Sequence, residues 1–106
     1  MVGRPSQYDV CPVIGLRAGS AVDLAVVLQH GQLSDLVTRV VAPLIAISGH
    51  DVDRATIAVE IEGVRYVVAM HLLTTIPTRN LDRPIANLRD HERALKNGID
   101  LLFFGI

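Results

Sequence analysis

The sequence predicts a small α+β domain, mainly β: a strongly bent antiparallel sheet closed by one helix at the C-terminus. Three observations carry that prediction. Short β-branched runs separated by turn residues fill the chain up to about residue 80, a hairpin pattern lies at 56–68, and helical periodicity is confined to the stretch from Asn87 onward. The 106 residues suit a single domain with one modest core.

Each element has its own signal. Tyr8 to Ile14 is rich in β-formers but contains Pro12, which restricts it to a sheet edge or a bulge. Gly15-Leu16-Arg17-Ala18-Gly19-Ser20 is a loop by composition, and the apolar run from Ala21 to Leu28 is broken only by Asp23. His30 to Ser34 reads as a loop, Val37 to Ile47 as a long strand interrupted near Pro43, and Ser48-Gly49-His50-Asp51 as a turn. Thr56 to Ile61 alternates, Glu62-Gly63 punctuates it, and Val64 to Val68 resumes the pattern, as a two-residue hairpin requires. Further extended pieces are expected from Leu72 to Thr78, ending at Pro77, and again before Pro84. From Asn87, the expected N-cap with Asp90 in the first turn, Leu88, Leu95, Ile99 and Leu102 recur on one helical face. Arg89, Glu92, Arg93, Lys96 and Asp100 lie to its side.

Composition narrows the function. Half the residues are apolar and ten Lys+Arg stand against eleven Asp+Glu. Such a chain folds, and it lacks the basic excess of a non-specific nucleic-acid surface. No 18-residue window is free of charges and prolines, so no membrane span is expected. Met1 to Gln7 lacks the apolar core of a signal peptide, which points to the cytosol. The single cysteine, Cys11, excludes an internal disulfide and reads as an inert core thiol. His30, His50, His71 and His91 show no metal-ligand spacing, Asp51 to Arg54 reads as a solvated turn, and Ser20 and Thr74-Thr75 have no base beside them in sequence. Neither a phosphate loop nor a nucleophile elbow is present, and no cofactor or metal is expected.

The terminus departs from the usual pattern, because chain ends are commonly polar. Here the chain runs Ile99-Asp100-Leu101-Leu102-Phe103-Phe104-Gly105-Ile106, with two of its four aromatic residues among the last four positions. Ala94, Leu101 and Phe104 project opposite the Leu88/Leu95/Ile99/Leu102 stripe, so the last turns are apolar on two faces. A helix apolar on two faces needs cover on both, from a partner chain, a ligand or a fold of the tail onto its own sheet. Gly98 fits a close backbone approach, and Gly98, Ala94 and Leu101 are the candidate residues of a homodimer seam.

Leu95-Lys96-Asn97-Gly98-Ile99-Asp100-Leu101-Leu102-Phe103-Phe104-Gly105-Ile106 resembles the C-terminus of the CcdB family, toxins of plasmid-type toxin–antitoxin pairs. The family pattern is apolar-Lys-Asn-small-Ile-polar-Leu-apolar-Phe-Trp-Gly-Ile. The likeness extends through Arg89-Asp90-His91-Glu92 and more faintly to Met70-His71 and Pro77. It takes in Val27-Leu28-Gln29 through Val40-Val41-Ala42-Pro43-Leu44, with Arg39 in a matching place, and residues 1 to 26 do not align. The resemblance implies an SH3-like bent sheet (the CcdB/MazF-like fold) with a smaller accessory sheet and a C-terminal helix. It implies a homodimer with those helices at the two-fold axis. It implies no enzyme activity: such toxins bind the A subunit of DNA gyrase and trap the cleaved-DNA complex, and a cognate antitoxin neutralises them with a disordered C-terminal segment. By motif position Phe104, Gly105 and Ile106 would meet gyrase, with Asp100, Phe103 and the loop residue Leu33 on the same surface. Phe104 stands where the family has Trp, which keeps a π face but loses area and the indole donor, so weaker gyrase binding is expected.

A rival reading comes from the MazF-type endoribonucleases, which share the fold and need a cation and a general base at the scissile phosphate. Arg17 with Thr56 or His50 would have to serve, without MazF motifs or a basic excess around them. A non-toxic dimerisation module would carry much the same residues. No direct nucleic-acid or membrane partner is expected in the main reading.

Overall fold

The computed structural model describes residues 5–14, 24–30, 37–46 and 56–105. In chain order these form β1 (Asp9–Pro12), β2 (Leu24–Val27), β3 (Thr38–Ala46), β4 (Thr56–Ile61), β5 (Val64–Ala69), β6 (Thr74–Pro77), β7 (Ala86–Asn87) and α1 (Glu92–Phe104). Short 3-10 turns at Met70–Leu72, Thr78–Asn80 and Arg89–His91 join the later pieces. The described strands make one antiparallel ladder in the order β4-β5-β3-β2-β1-β7, with β6 as a side branch on β3. The mainly-β, bent sheet with a terminal helix is the predicted fold class.

The ladder is organised by β3. Its first half pairs with β6 (Thr38↔Pro77 to Val41↔Thr74) and its last residues with β5 (Leu44↔Val68 to Ala46↔Tyr66), while β2 runs along the other edge. The strand is continuous through Pro43, contrary to the interruption expected there. The register explains why. Leu28 donates to the Val40 carbonyl, which makes 28/40, 26/42 and 24/44 the hydrogen-bonded pairs. Pro43 therefore turns its nitrogen to the opposite edge, where β6 has ended and β5 has not begun. No ladder bond is lost, which is the condition for proline inside a sheet.

Bending gives β1, β2 and β3 cover on both faces, so β2 is buried throughout and reads as a continuous apolar run. One side holds Val10, Val26, Ala42, Leu44 and Val68 together with Met70 and Leu95; the other holds Cys11, Ala25, Val27, Val41 and Leu81. Burial pushes the Cys11 thiol up to about 12, as an inert core thiol requires. The β4–β5 hairpin follows the sequence closely. Glu62 and Gly63 both take positive φ (52° and 82°), the signature of a type I′ turn.

The helix starts later than its periodicity suggests. Asn87 is not the N-cap of α1, which is His91 without a side-chain cap bond: Asn87 Oδ1 accepts from the Arg89 backbone N–H at 2.8 Å ahead of a 3-10 turn, and α geometry begins at Glu92. Asn87 belongs to β7 at that point, and Leu88 and His91 hold non-helical ψ values of 27° and 13°. Leu95 and Gly98 are buried, and Ile99 packs beside them. Leu102, expected on the same inward stripe, is 37% exposed because the helix has run past its support there. No helix among the described residues is long and apolar enough to cross a membrane.

A buried tyrosine holds the start of α1. Tyr8 is 3% exposed, and its hydroxyl donates to Glu92 Oε2 at 2.8 Å. The Arg89 guanidinium sits 5.4 Å from its ring centroid. Tyr8 has φ of 71°, a left-handed conformation costing about 1–2 kcal/mol for a non-glycine residue. The backbone compensates: the Tyr8 N–H donates to Val27 O at 2.6 Å and its carbonyl accepts from the Leu88 N–H at 2.8 Å. Burial, and then the bond to the Glu92 carboxylate, push the phenol up to about 12.

Two predictions follow from these local geometries. Gly63→Ala places a Cβ on a residue with φ of 82° and is expected to cost about 1 kcal/mol, read as a lower denaturant midpoint at unchanged slope. For Tyr8 the folded pKa lies above the unfolded one, so its contribution is fully present below pH 10 and is lost as pH rises toward 12. Denaturant unfolding at pH 8 and pH 11.5 should therefore show a larger alkaline loss in the parent than in Tyr8→Phe; equal losses would contradict the assignment.

Candidate functional site

The site is the free end of α1. The helix touches β4 and the Met70–Leu72 turn through Leu95, Gly98 and Ile99, then continues beyond them. Phe103 is 60% and Phe104 71% exposed, and with Leu102 they form an uncovered apolar end. Gly105 ends the helix in the left-handed conformation (φ 73°, ψ 18°), its N–H donating to Leu101 O at 3.0 Å. A Cβ there would meet nothing within 4 Å, so within this chain glycine is selected by the sign of φ and not by crowding. The cap ends the helix immediately after Phe103 and Phe104, leaving both rings on its last turn.

Two surfaces flank this end. Beside Phe103 lies an apolar groove lined by Leu28, Gln29, Val40, Leu73, Ile99 and Phe103. Gln29 shapes its rim, its Oε1 accepting from the Val40 N–H at 3.0 Å. On the other side Glu92, Arg93, Lys96, Asn97 and Asp100 line a polar hollow. Asp100 is exposed and one turn before Phe104, so a carboxylate stands beside the aromatic end on the same helical side. The Lys96–Glu92 pair, 3.9 Å apart with both groups well exposed, contributes little.

The sequence-predicted residues separate clearly. Phe103, Phe104, Gly105 and Asp100 come together at the end of α1. Ile106, Leu33, Arg17 and His50 lie outside the described residues, and Thr56 begins β4. Ala94 and Leu101 are half-buried on the helix. Gly98 is buried, and its missing side chain faces Ile57 Cδ1 at 3.2 Å and Met70 Cε at 3.7 Å of the same chain. Within this chain the close approach it permits is to its own sheet. Among the described residues, no group of three His, Cys, Asp or Glu is placed to hold a metal ion. Sequence reasoning missed Tyr8, whose partner Glu92 is 84 positions away and which no local spacing announces. Arg39, noted in the sequence for its place in the resemblance, is buried in β3 at 1% exposure with Nη1 donating to Thr38 O at 3.0 Å.

Comparison with curated protein sequences finds no match. Among solved structures, one described as the crystal structure of an Mtb toxin is similar with a TM-score of 0.70 and 20% identity, covering 89% of this chain and 99% of that one. Mycobacterium tuberculosis toxin MazF-mt6 is similar with a TM-score of 0.72 and 21% identity, covering 90% and 95%. At such identities the likeness speaks to the fold alone. The family model described as "CcdB protein" matches residues 7–105, which takes in every described strand and all of α1. A family match of that extent, on a bent sheet that projects a capped, aromatic-ended helix, places the chain in the CcdB family.

Proposed function

We propose that the protein is the toxin of a toxin–antitoxin pair and acts by binding. As a homodimer, it grips the A subunit of DNA gyrase with the end of α1 and holds the cleaved-DNA complex, and a cognate antitoxin with a disordered C-terminal segment relieves it. The observation that carries this reading is the exposure of Phe103 and Phe104 on a helix end capped by Gly105. Membership of the CcdB family supports it.

The energetics fit a grip and need no bond-making step. Burying the exposed part of the two rings contributes about 3 kcal/mol per protomer, and an arginine stacked on a desolvated ring adds about 1–2 kcal/mol. Two copies about a symmetry axis engage a symmetric target together, which raises effective concentration. Ala94 and Leu101, half-buried on α1, are the residues assigned to the seam between copies.

The direct experiment mixes the purified protein with gyrase, ATP and plasmid, denatures the mixture, and looks for protein-linked linear DNA. Removing Phe104 to Ile106 should leave the sheet and the dimer intact while weakening gyrase binding about a hundredfold, the equivalent of roughly 3 kcal/mol. A truncated chain that still traps cleaved DNA contradicts the proposal, as does cleavage of an RNA substrate by the parent. Phe104→Trp restores the stronger π face and should tighten trapping about fivefold; unchanged or weaker trapping argues for a different target.

A further inference from the structure

We infer that Tyr8 is a positioning residue for the α1 end: its bond to Glu92 fixes the direction in which the helix presents Phe103 and Phe104, and through that direction the affinity for the target. The inference rests on the binding reading given above, and it starts from how little else holds the helix. The buried support of α1 comes from Leu95 and Gly98 with Ile99 beside them, about one turn in the middle of its length; beyond it Leu101 is half-buried and Phe103 rims an open groove. Support concentrated at one turn sets a position but holds the axis weakly. A second fixed point is needed at one end, and the distal end is exposed.

The proximal end supplies it. Glu92 is the first residue of α1 and accepts from the Tyr8 hydroxyl. Around that bond the segment 6–9 is tied to the segment 87–89. The Leu88 N–H donates to Tyr8 O at 2.8 Å, Asn87 Nδ2 donates to Asp9 Oδ1 at 2.9 Å and to Gln7 O at 3.3 Å, and Asn87 Oδ1 accepts from the Arg89 N–H. Asp9 in turn closes on Ser6, its Oδ2 accepting from the Ser6 N–H at 2.8 Å. The left-handed backbone of Tyr8, over-determined by these bonds, marks a residue held in place against a local cost.

The lever is long. From the supported turn, centred near residue 97, to Phe104 the helix rises about 10 Å at 1.5 Å per residue, so a 10° change of axis moves its end by about 2 Å. Tight interfaces tolerate displacements of only about 0.5 Å. Tyr8 is buried and cannot touch a target, so any effect of its hydroxyl on binding travels through Glu92 and the helix axis.

The test uses full-length Tyr8→Phe, Glu92→Ala, the two combined, and Glu92→Gln, each also carrying Phe104→Trp as a reporter in a chain without other tryptophan. Tyr8→Phe and Glu92→Ala should each lower the tryptophan anisotropy and weaken binding to the purified gyrase A subunit about tenfold. The combined variant should bind no worse than Glu92→Ala, and Glu92→Gln, which keeps an acceptor, should stay within about twofold of the parent. A Tyr8→Phe chain that binds as tightly as the parent, or losses that multiply in the combination, overturns the inference. If the parent itself does not bind gyrase, the functional reading fails and anisotropy alone decides. Unchanged anisotropy in Tyr8→Phe then refutes the positioning role, and lowered anisotropy upholds it.

Discussion

The structure depends on how far the sheet supports α1. Leu95, Gly98 and Ile99 pack in one cluster with Ile57 and Met70, and beyond them the helix is progressively exposed, to 71% at Phe104. Gly98 makes the contact close, since an added Cβ would meet Ile57 Cδ1 at 3.2 Å and push it by a few tenths of an ångström. Moving the helix outward to relieve that pressure would loosen Leu95, which is fully buried. The same contact that closes the core therefore sets how much of the helix overhangs. Apolar residues on an overhang are costly in water and are retained where another surface covers them.

The sheet is built to carry such a helix. β3 serves two partners along one edge, and the change of partner falls where Pro43 has no proton to give. That arrangement lets the strand bend without an unpaired buried donor. Bending in turn covers β1, β2 and β3 on both faces, giving a chain of this length a core on each side of its central strands. Met70, between β5 and β6, belongs to the core and also to the seat under Gly98. The fold and the presentation of the helix end thus share residues.

Local chemistry was legible in the sequence and distant chemistry was not. The hairpin at 56–69 could be read because a type I′ turn needs two positive φ values and Glu62-Gly63 supplies them. The terminal dozen residues announced an uncovered end because their apolar faces outnumber what one sheet can bury. Leu102 was misread as inward because a helical projection assumes support along its whole length. Gly98 signalled a close neighbour without saying which, and in this chain that neighbour is its own sheet. Pro43 looked like a break because the sequence does not reveal which edge of the strand its nitrogen faces. Tyr8 and Glu92 carry no shared signal at all, since only the closed sheet brings residues 84 positions apart within 2.8 Å.

Site-specific photocrosslinking tests the central claim most directly. A benzophenone-bearing phenylalanine analogue at position 103, on the helix end, is compared with the same analogue at position 45, an exposed residue of β3. Irradiation in the presence of gyrase should link position 103 to the A subunit and leave position 45 unlinked. Linkage from position 45 alone, or from neither position under conditions in which the protein traps cleaved DNA, would contradict the account.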